Sequence, residues 1–155
     1  MHKTMSITLL ALLAGLLAAT AATALDLDFF GKYETVSADP SGRVRLPLDD
    51  VSDGKAHYYE FETAGGPVRF FVLQSPNGIV RAAFDACDVC FREGLGYDQD
   101  GEFMICNNCG QRFHSDRINV VRGGCNPAPL ERSVEGEHLV LSATVIRAGL
   151  RYFPG

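Results

Sequence analysis

No stretch of the sequence is rich in lysine and arginine, and this absence limits what the protein can bind. Its 14 basic residues are scattered among 19 acidic ones, and the formal net charge is −5. A surface that follows a phosphate backbone needs clustered positive charge. We therefore expect no nucleic acid among the partners of this protein.

Signs of hydrolytic catalysis and of repeated structure are also missing. The sequence shows no Ser/His/Asp trio, no recognisable carboxylate pair and no phosphate-binding loop. After its first 24 residues it contains no repeat, no long amphipathic helix pattern and no apolar run long enough to span a membrane. We therefore expect a single domain that is not a hydrolase.

The first 24 residues have the pattern of a secretory signal peptide. His2 and Lys3 precede an apolar segment, residues 7–22, and Ala22-Thr23-Ala24 forms an Ala-x-Ala cleavage site before Leu25. The segment has no Arg-Arg pair, which is typical of export in the unfolded state. We expect a signal peptide at 1–24 and one domain at 25–155, in the periplasm or another extracytoplasmic space. An uncleaved N-terminus would instead associate the protein with the membrane.

Short alternating and aromatic-rich runs predict a mainly β fold. An Asn77-Gly78 pair between two of them favours a hairpin, because Asn and Gly accept the positive φ of tight turns. We expect a small β-sheet or sandwich-like domain with few short helices and a loop-rich cysteine metal knuckle between Cys87 and Cys125. The predicted strands are 43–46, 57–62, 68–73, 79–84 and 138–146.

Two Cys-x-x-Cys motifs indicate the chemistry of the protein. Fifteen residues separate Cys87-Asp-Val-Cys90 from Cys106-Asn-Asn-Cys109. A two-residue gap lets both sulfurs of a tight turn face one ion, so two such turns can supply four thiolates in a tetrahedron. Gly110 allows the positive φ that brings backbone N–H groups toward a thiolate. This spacing predicts a metal centre built from cysteine.

A fifth cysteine, Cys125, makes the number of cysteines odd. Gly123-Gly124 before it allow a close backbone approach, so we expect Cys125 to ligate the metal, with Cys87 or Cys90 as the spare thiol. Disulfides stay open as an alternative because export permits them, although a disulfide within one motif would close a very small loop. We interpret His114 as a solvated polar residue rather than a ligand.

Three strings of the sequence, taken together, point to a known family. They are Ala-Phe-Asp-Ala-Cys-Asp-Val-Cys at 83–90, Cys-Asn-Asn-Cys-Gly at 106–110 and Gly-Gly-Cys-Asn-Pro-Ala-Pro-Leu at 123–130. With these strings, the chain from about residue 55 to residue 146 resembles the FtrD-like family of membrane-associated iron–sulfur proteins. The third string is far more specific than either cysteine motif alone.

The resemblance implies an exported iron–sulfur or iron-binding protein that acts as an electron-transfer accessory of iron uptake, rather than a classical enzyme. Its cofactor would be an iron–sulfur cluster or iron, and its partner a membrane iron permease or another iron-uptake component. The alternative is a binding module with a structural zinc, because thiolates suit both metals. The candidate ligands that the resemblance carries over are Cys87, Cys90, Cys106, Cys109 and Cys125.

Overall fold

The computed structural model describes residues 31–154, so the predicted signal peptide, residues 1–24, lies outside the described part. None of the helices in the described part is long and apolar enough to cross a membrane. The elements are β1 Glu34–Val36, β2 Arg43–Pro47, β3 His57–Phe61, β4 Val68–Gln74, β5 Val80–Phe84, β6 Tyr97–Asp100, β7 Phe103–Cys106, β8 Arg112–His114, β9 Ser133–Glu135, β10 His138–Ser142 and the helix α1 Ala143–Ala148, with 3₁₀ turns at Asp49–Val51, Phe91–Glu93, Ser115–Arg117 and Gly149–Tyr152.

These strands form three sheets, which confirms the predicted mainly β fold with few short helices. The first sheet has the order β1-β3-β4-β5, the second β2-β10-β9 and the third β6-β7-β8. Neighbouring strands are antiparallel throughout, apart from the parallel pair of β1 and β3. None of the three sheets closes into a barrel within residues 31–154.

The first sheet is the middle layer of the molecule, because β4 buries side chains on both of its faces. Phe70 and Val72 pack into one core together with Leu139 of the second sheet. Phe71 and Leu73 pack into a second core beneath the third sheet. Successive side chains of a strand point to opposite faces, so a strand covered on both sides is apolar throughout rather than alternating. The third sheet, which carries the second cysteine motif, is thereby held against a packed layer.

The predicted Asn-Gly hairpin joins β4 to β5. Gly78 has a φ of +80°, and its N–H donates to the Ser75 carbonyl at 2.8 Å. The Ser75 N–H in turn donates to the carbonyl of Ile79 at 3.0 Å. β5 then returns along the middle sheet and ends at Phe84, three residues before Cys87. The hairpin therefore places the first cysteine motif at the end of the middle layer.

The predicted strand over residues 138–146 is too long. β10 ends at Ser142, opposite Arg43, which is the first residue of its partner β2. The Ala143 N–H donates instead to the carbonyl of Gly42 at 2.9 Å, and the chain continues as α1. Ala143 and Ile146 are both fully buried, which is the i, i+3 spacing of a helical face. The loss of a pairing partner ends the strand, while burial continues through the helix.

The region between Cys87 and Cys125 is predicted to be loop-rich, and most of it lies in loops and turns, although it also contains the short strands β6, β7 and β8. β6 and β7 are antiparallel, with Tyr97 opposite Cys106 and Asp100 opposite Phe103. A tight turn with a φ of +58° at Gly101 joins them. An Asp-Gly pair before an alternating run is a hairpin signal, and it could have been recognised in the sequence.

Candidate metal centre

Three separate segments bring the five predicted site cysteines to one place. Cys87 and Cys90 lie in the turn that follows β5, and Cys106 is the last residue of β7. Cys109 lies in the turn between β7 and β8, and Cys125 in the loop that leads to β9. All five are free thiols in this structure. Their convergence depends on the middle sheet and the third sheet packing together.

The sulfur atoms fall into two groups of three. The Sγ atoms of Cys87, Cys90 and Cys125 all lie within 4.8 Å of one another, and so do those of Cys90, Cys106 and Cys109. Cys90 belongs to both groups, and its Sγ lies 3.8 Å from that of Cys125. That separation is well beyond the length of a disulfide bond, about 2.05 Å. We call these groups the first triad and the second triad.

A backbone hydrogen bond organises the first cysteine motif. The Cys90 N–H donates to Cys87 Sγ at 3.1 Å. Such a bond brings a partial positive charge to the sulfur, and it stabilises the thiolate form that a metal requires. Cys87 is buried, whereas Cys90 is partly exposed. The first motif therefore combines one fully buried residue with one that is partly open to solvent.

The second cysteine motif forms the hairpin turn between β7 and β8. Gly110 has a φ of +70°, which confirms the conformation predicted for it. Its N–H donates to the Cys106 carbonyl at 2.8 Å, and the Cys106 N–H donates to the Gln111 carbonyl at 2.9 Å. The Gln111 N–H approaches the Cys109 thiol and lowers its pKa. The turn at Gly110 thus brings one backbone N–H group, that of Gln111, to the Cys109 thiol.

The two glycines before Cys125 do adopt the left-handed conformation. The φ angles of Gly123 and Gly124 are +83° and +64°. This backbone path is open mainly to glycine, and here it carries the loop up to the first triad. The Tyr97 hydroxyl donates to the Cys125 carbonyl at 2.6 Å and fixes the end of the loop. Cys125 is thereby held beside Cys87 and Cys90, within reach of the Cys109 thiol of the second motif.

Tyr97 and Asp85 are buried residues that hold the cysteine loops in place through hydrogen bonds. Neither of them was identified from the sequence. One oxygen of the buried Asp85 carboxylate accepts the Tyr97 N–H at 2.7 Å, and the other accepts the Tyr33 hydroxyl at 2.7 Å. Burial raises the pKa of Asp85. Burial, followed by the hydrogen bond with the Cys87 thiol, also raises the pKa of Tyr97, so its hydroxyl remains a donor. Only the position of Asp85 within the first motif string hinted at this role.

The crowded thiols influence one another's pKa. The Asn108 side chain lowers the pKa of Cys90, but burial and the neighbouring thiols, Cys125 foremost, together raise it to about 12. Burial also raises the pKa of Cys125. Negative sulfurs packed this closely repel one another, and a cation bound among them would remove that cost. The donor set contains sulfur alone, which suits iron–sulfur clusters, zinc and other thiophilic ions rather than calcium or magnesium.

His114 lies apart from the thiols and is partly exposed, with both of its ring nitrogens close to neighbouring residues. Its Nε2 lies 3.2 Å from a carboxylate oxygen of Glu102, and its Nδ1 accepts the Asp116 N–H at 3.2 Å. It belongs to neither triad. The ligand candidates in the described residues are therefore the five cysteines.

Comparison with known proteins agrees with this chemistry. The family described as "Membrane iron-sulfur containing protein FtrD-like" matches residues 51–153, about two thirds of the chain and all five cysteines. No curated protein matches the chain.

Among solved structures, the chain is similar to the quaternary ammonium Rieske monooxygenase CntA in complex with an inhibitor, at 11% sequence identity and a TM-score of 0.41. The similarity covers 74% of this chain and 32% of that one, so the chain spans about a third of the length of the monooxygenase. A TM-score this low carries no argument about fold or function.

Proposed function

This chain belongs to the FtrD-like family of membrane iron-sulfur containing proteins, and on that premise we propose that it is an electron-transfer or iron-handling accessory of iron uptake. The observation that carries the proposal is the convergence of five free thiols from three segments of the chain. Thiolates are the ligands of iron–sulfur clusters and of simple iron–cysteine sites. An iron centre held by these cysteines would supply one-electron exchange.

The position of the centre suits exchange with a partner. Cys87 and Cys106 are buried, whereas Cys109 is exposed at the end of the β7–β8 hairpin. One side of the centre is therefore shielded by packed protein, and the other reaches the surface. Solvent exposure and hydrogen bonds to the sulfurs both influence the reduction potential of such a centre. The exposed side is where a partner would meet it.

Two exposed apolar side chains belong to, or are hydrogen-bonded through their backbone to, the two cysteine motifs. Val89, inside the first motif, is 61% exposed, and Leu95 is 53% exposed. The Leu95 carbonyl accepts a hydrogen bond from the Asn107 side chain of the second motif at 3.0 Å, which ties its loop to the hairpin. Exposed apolar residues around a functional centre suit a transient protein contact. A membrane iron permease, or another component of iron uptake, is the partner that we propose.

An extracytoplasmic location is part of this proposal. The Ala22-Thr23-Ala24 site supports export and cleavage before Leu25. The intact mass of protein recovered from a native-like host should correspond to a chain that starts at Leu25. Recovery of the uncleaved chain in the membrane fraction would contradict cleavage and favour a membrane tether.

The metal can be identified on protein purified without oxygen. We expect a coloured protein with iron, and with acid-labile sulfide if a cluster is present, measured by its absorption spectrum and by metal and sulfide analysis. Cys106→Ser should hold less metal than the wild-type chain, while His114→Ala, a change outside both triads, should hold as much. A colourless protein that contains zinc would refute the proposal and support the alternative of a structural zinc site.

A further inference from the structure

The two triads do not have the arrangement that a single metal ion requires. Four sulfurs bound at about 2.3 Å to one tetrahedral ion all lie about 3.8 Å from one another. In residues 31–154, the sets of thiols that are mutually within 4.8 Å contain three members, not four. The five sulfurs therefore form two triangles that share one corner, and that corner is Cys90.

Each triangle also has its own support in the fold. In the first triad, Cys87 Sγ accepts a backbone N–H at 3.1 Å, and Tyr97 anchors the Cys125 carbonyl at 2.6 Å. In the second triad, the sulfurs of Cys106 and Cys109 come from a separate hairpin, whose turn is closed by the backbone bonds around Gly110. Different parts of the fold therefore support the two triangles, which suits two adjoining binding positions.

We infer that the centre holds two metal ions in each chain, with the Cys90 thiolate shared between them. Cys106 and Cys109 hold one ion together with Cys90, and Cys87 and Cys125 hold the other together with Cys90. This inference rests on the proposed function, because it gives the number of ions in the same centre. It also explains the odd number of cysteines, since the fifth thiol is the bridge and none is spare.

The test counts ions with a thiophilic probe, Cd(II) alone. The full chain is purified without oxygen, exchanged against excess Cd(II) and desalted, and the cadmium in each chain is measured by elemental analysis and native mass spectrometry. We expect two Cd(II) ions in each wild-type chain and five thiols that resist alkylation. One Cd(II) ion in each chain, or one thiol that is alkylated rapidly while the others stay protected, would overturn the inference.

Paired variants show which thiols hold which ion. Cys106→Ser/Cys109→Ser should keep one Cd(II) ion, and Cys87→Ser/Cys125→Ser should keep one as well. Loss of both ions from either folded double variant would contradict two separate positions. Circular dichroism verifies the fold of each variant, and the wild-type count decides the question even if a variant fails to fold.

The outcome is distinguishable from failure of the proposed function. A protein that contains zinc as purified, yet takes up two Cd(II) ions, would refute the iron role and leave the two-ion centre standing. A protein that contains iron as purified, yet takes up a single Cd(II) ion, would support the iron role and refute the two-ion centre.

Discussion

Gly96 offers the sharpest test of how the protein supports its cysteines. It has a φ of +64°, and a Cβ atom added there would lie 2.7 Å from Cγ of Asp85 and closer still to one carboxylate oxygen. Real Cβ atoms do not approach other atoms this closely, so Asp85 would have to move. Asp85 is 3% exposed and is held by Tyr33 and Tyr97 at 2.7 Å each. Its movement therefore breaks at least one buried hydrogen bond.

Gly94 provides a matched control for this substitution. Its φ is +65°, and a Cβ atom there would meet nothing within 4 Å. Alanine at either position costs about 1 kcal/mol for the left-handed backbone, and that cost cancels in the comparison. The excess cost of Gly96→Ala is the loss of a buried hydrogen bond together with overpacking, about 1–3 kcal/mol. We expect Gly96→Ala to be less stable than Gly94→Ala by about 2 kcal/mol.

Denaturant unfolding of the two variants under reducing conditions measures this difference. The slopes of the unfolding transitions should agree, so that the midpoints alone report stability. Equal stability of the two variants within about 0.5 kcal/mol would refute the reasoning, because it would mean that Asp85 moves aside freely. A matching loss of bound metal in Gly96→Ala alone would further connect this carboxylate to the cysteine centre.

Three other changes test separate parts of the structure. Tyr97→Phe removes the donor to the Cys125 carbonyl and should cost about 1–3 kcal/mol, with faster alkylation of Cys125; unchanged stability and reactivity would contradict the anchoring role. Leu139→Ala empties a fully buried site and should cost about 2–5 kcal/mol in thermal or denaturant unfolding. Hydrogen bonds from the Ser41 side chain and from backbone N–H groups lower the pKa of Asp39 from 3.8 to about 2. Its contribution to stability is therefore present above pH 3.8 and is lost as the pH falls toward 2, and Asp39→Asn should weaken this acid dependence in midpoints measured across that range.

The local turns of this protein could be predicted from its sequence. The Asn77-Gly78 hairpin and the positive φ of Gly110 follow from the conformational freedom of individual residues, and the structure contains both. Most strands of the first two sheets were also predictable, because they combine aromatic and β-branched residues between turn signals. The error at residues 138–146 arose because alternation alone does not show where a strand loses its partner. Pairing partners lie far away along the chain, so the end of β10 depends on β2.

The cysteine motifs and the glycines beside them are properties of the sequence alone, since a spacing of three residues brings two sulfurs to one turn whatever surrounds it. The grouping of the five thiols into two triads, by contrast, is decided by the tertiary structure. It depends on a loop delivering Cys125 to the first motif and on a hairpin bringing Cys106 and Cys109 to Cys90. Tyr97 and Asp85 acquire their roles only because the third sheet packs on the middle one. Local covalent geometry determines a pair of ligands, whereas the packing of distant strands decides which pairs meet.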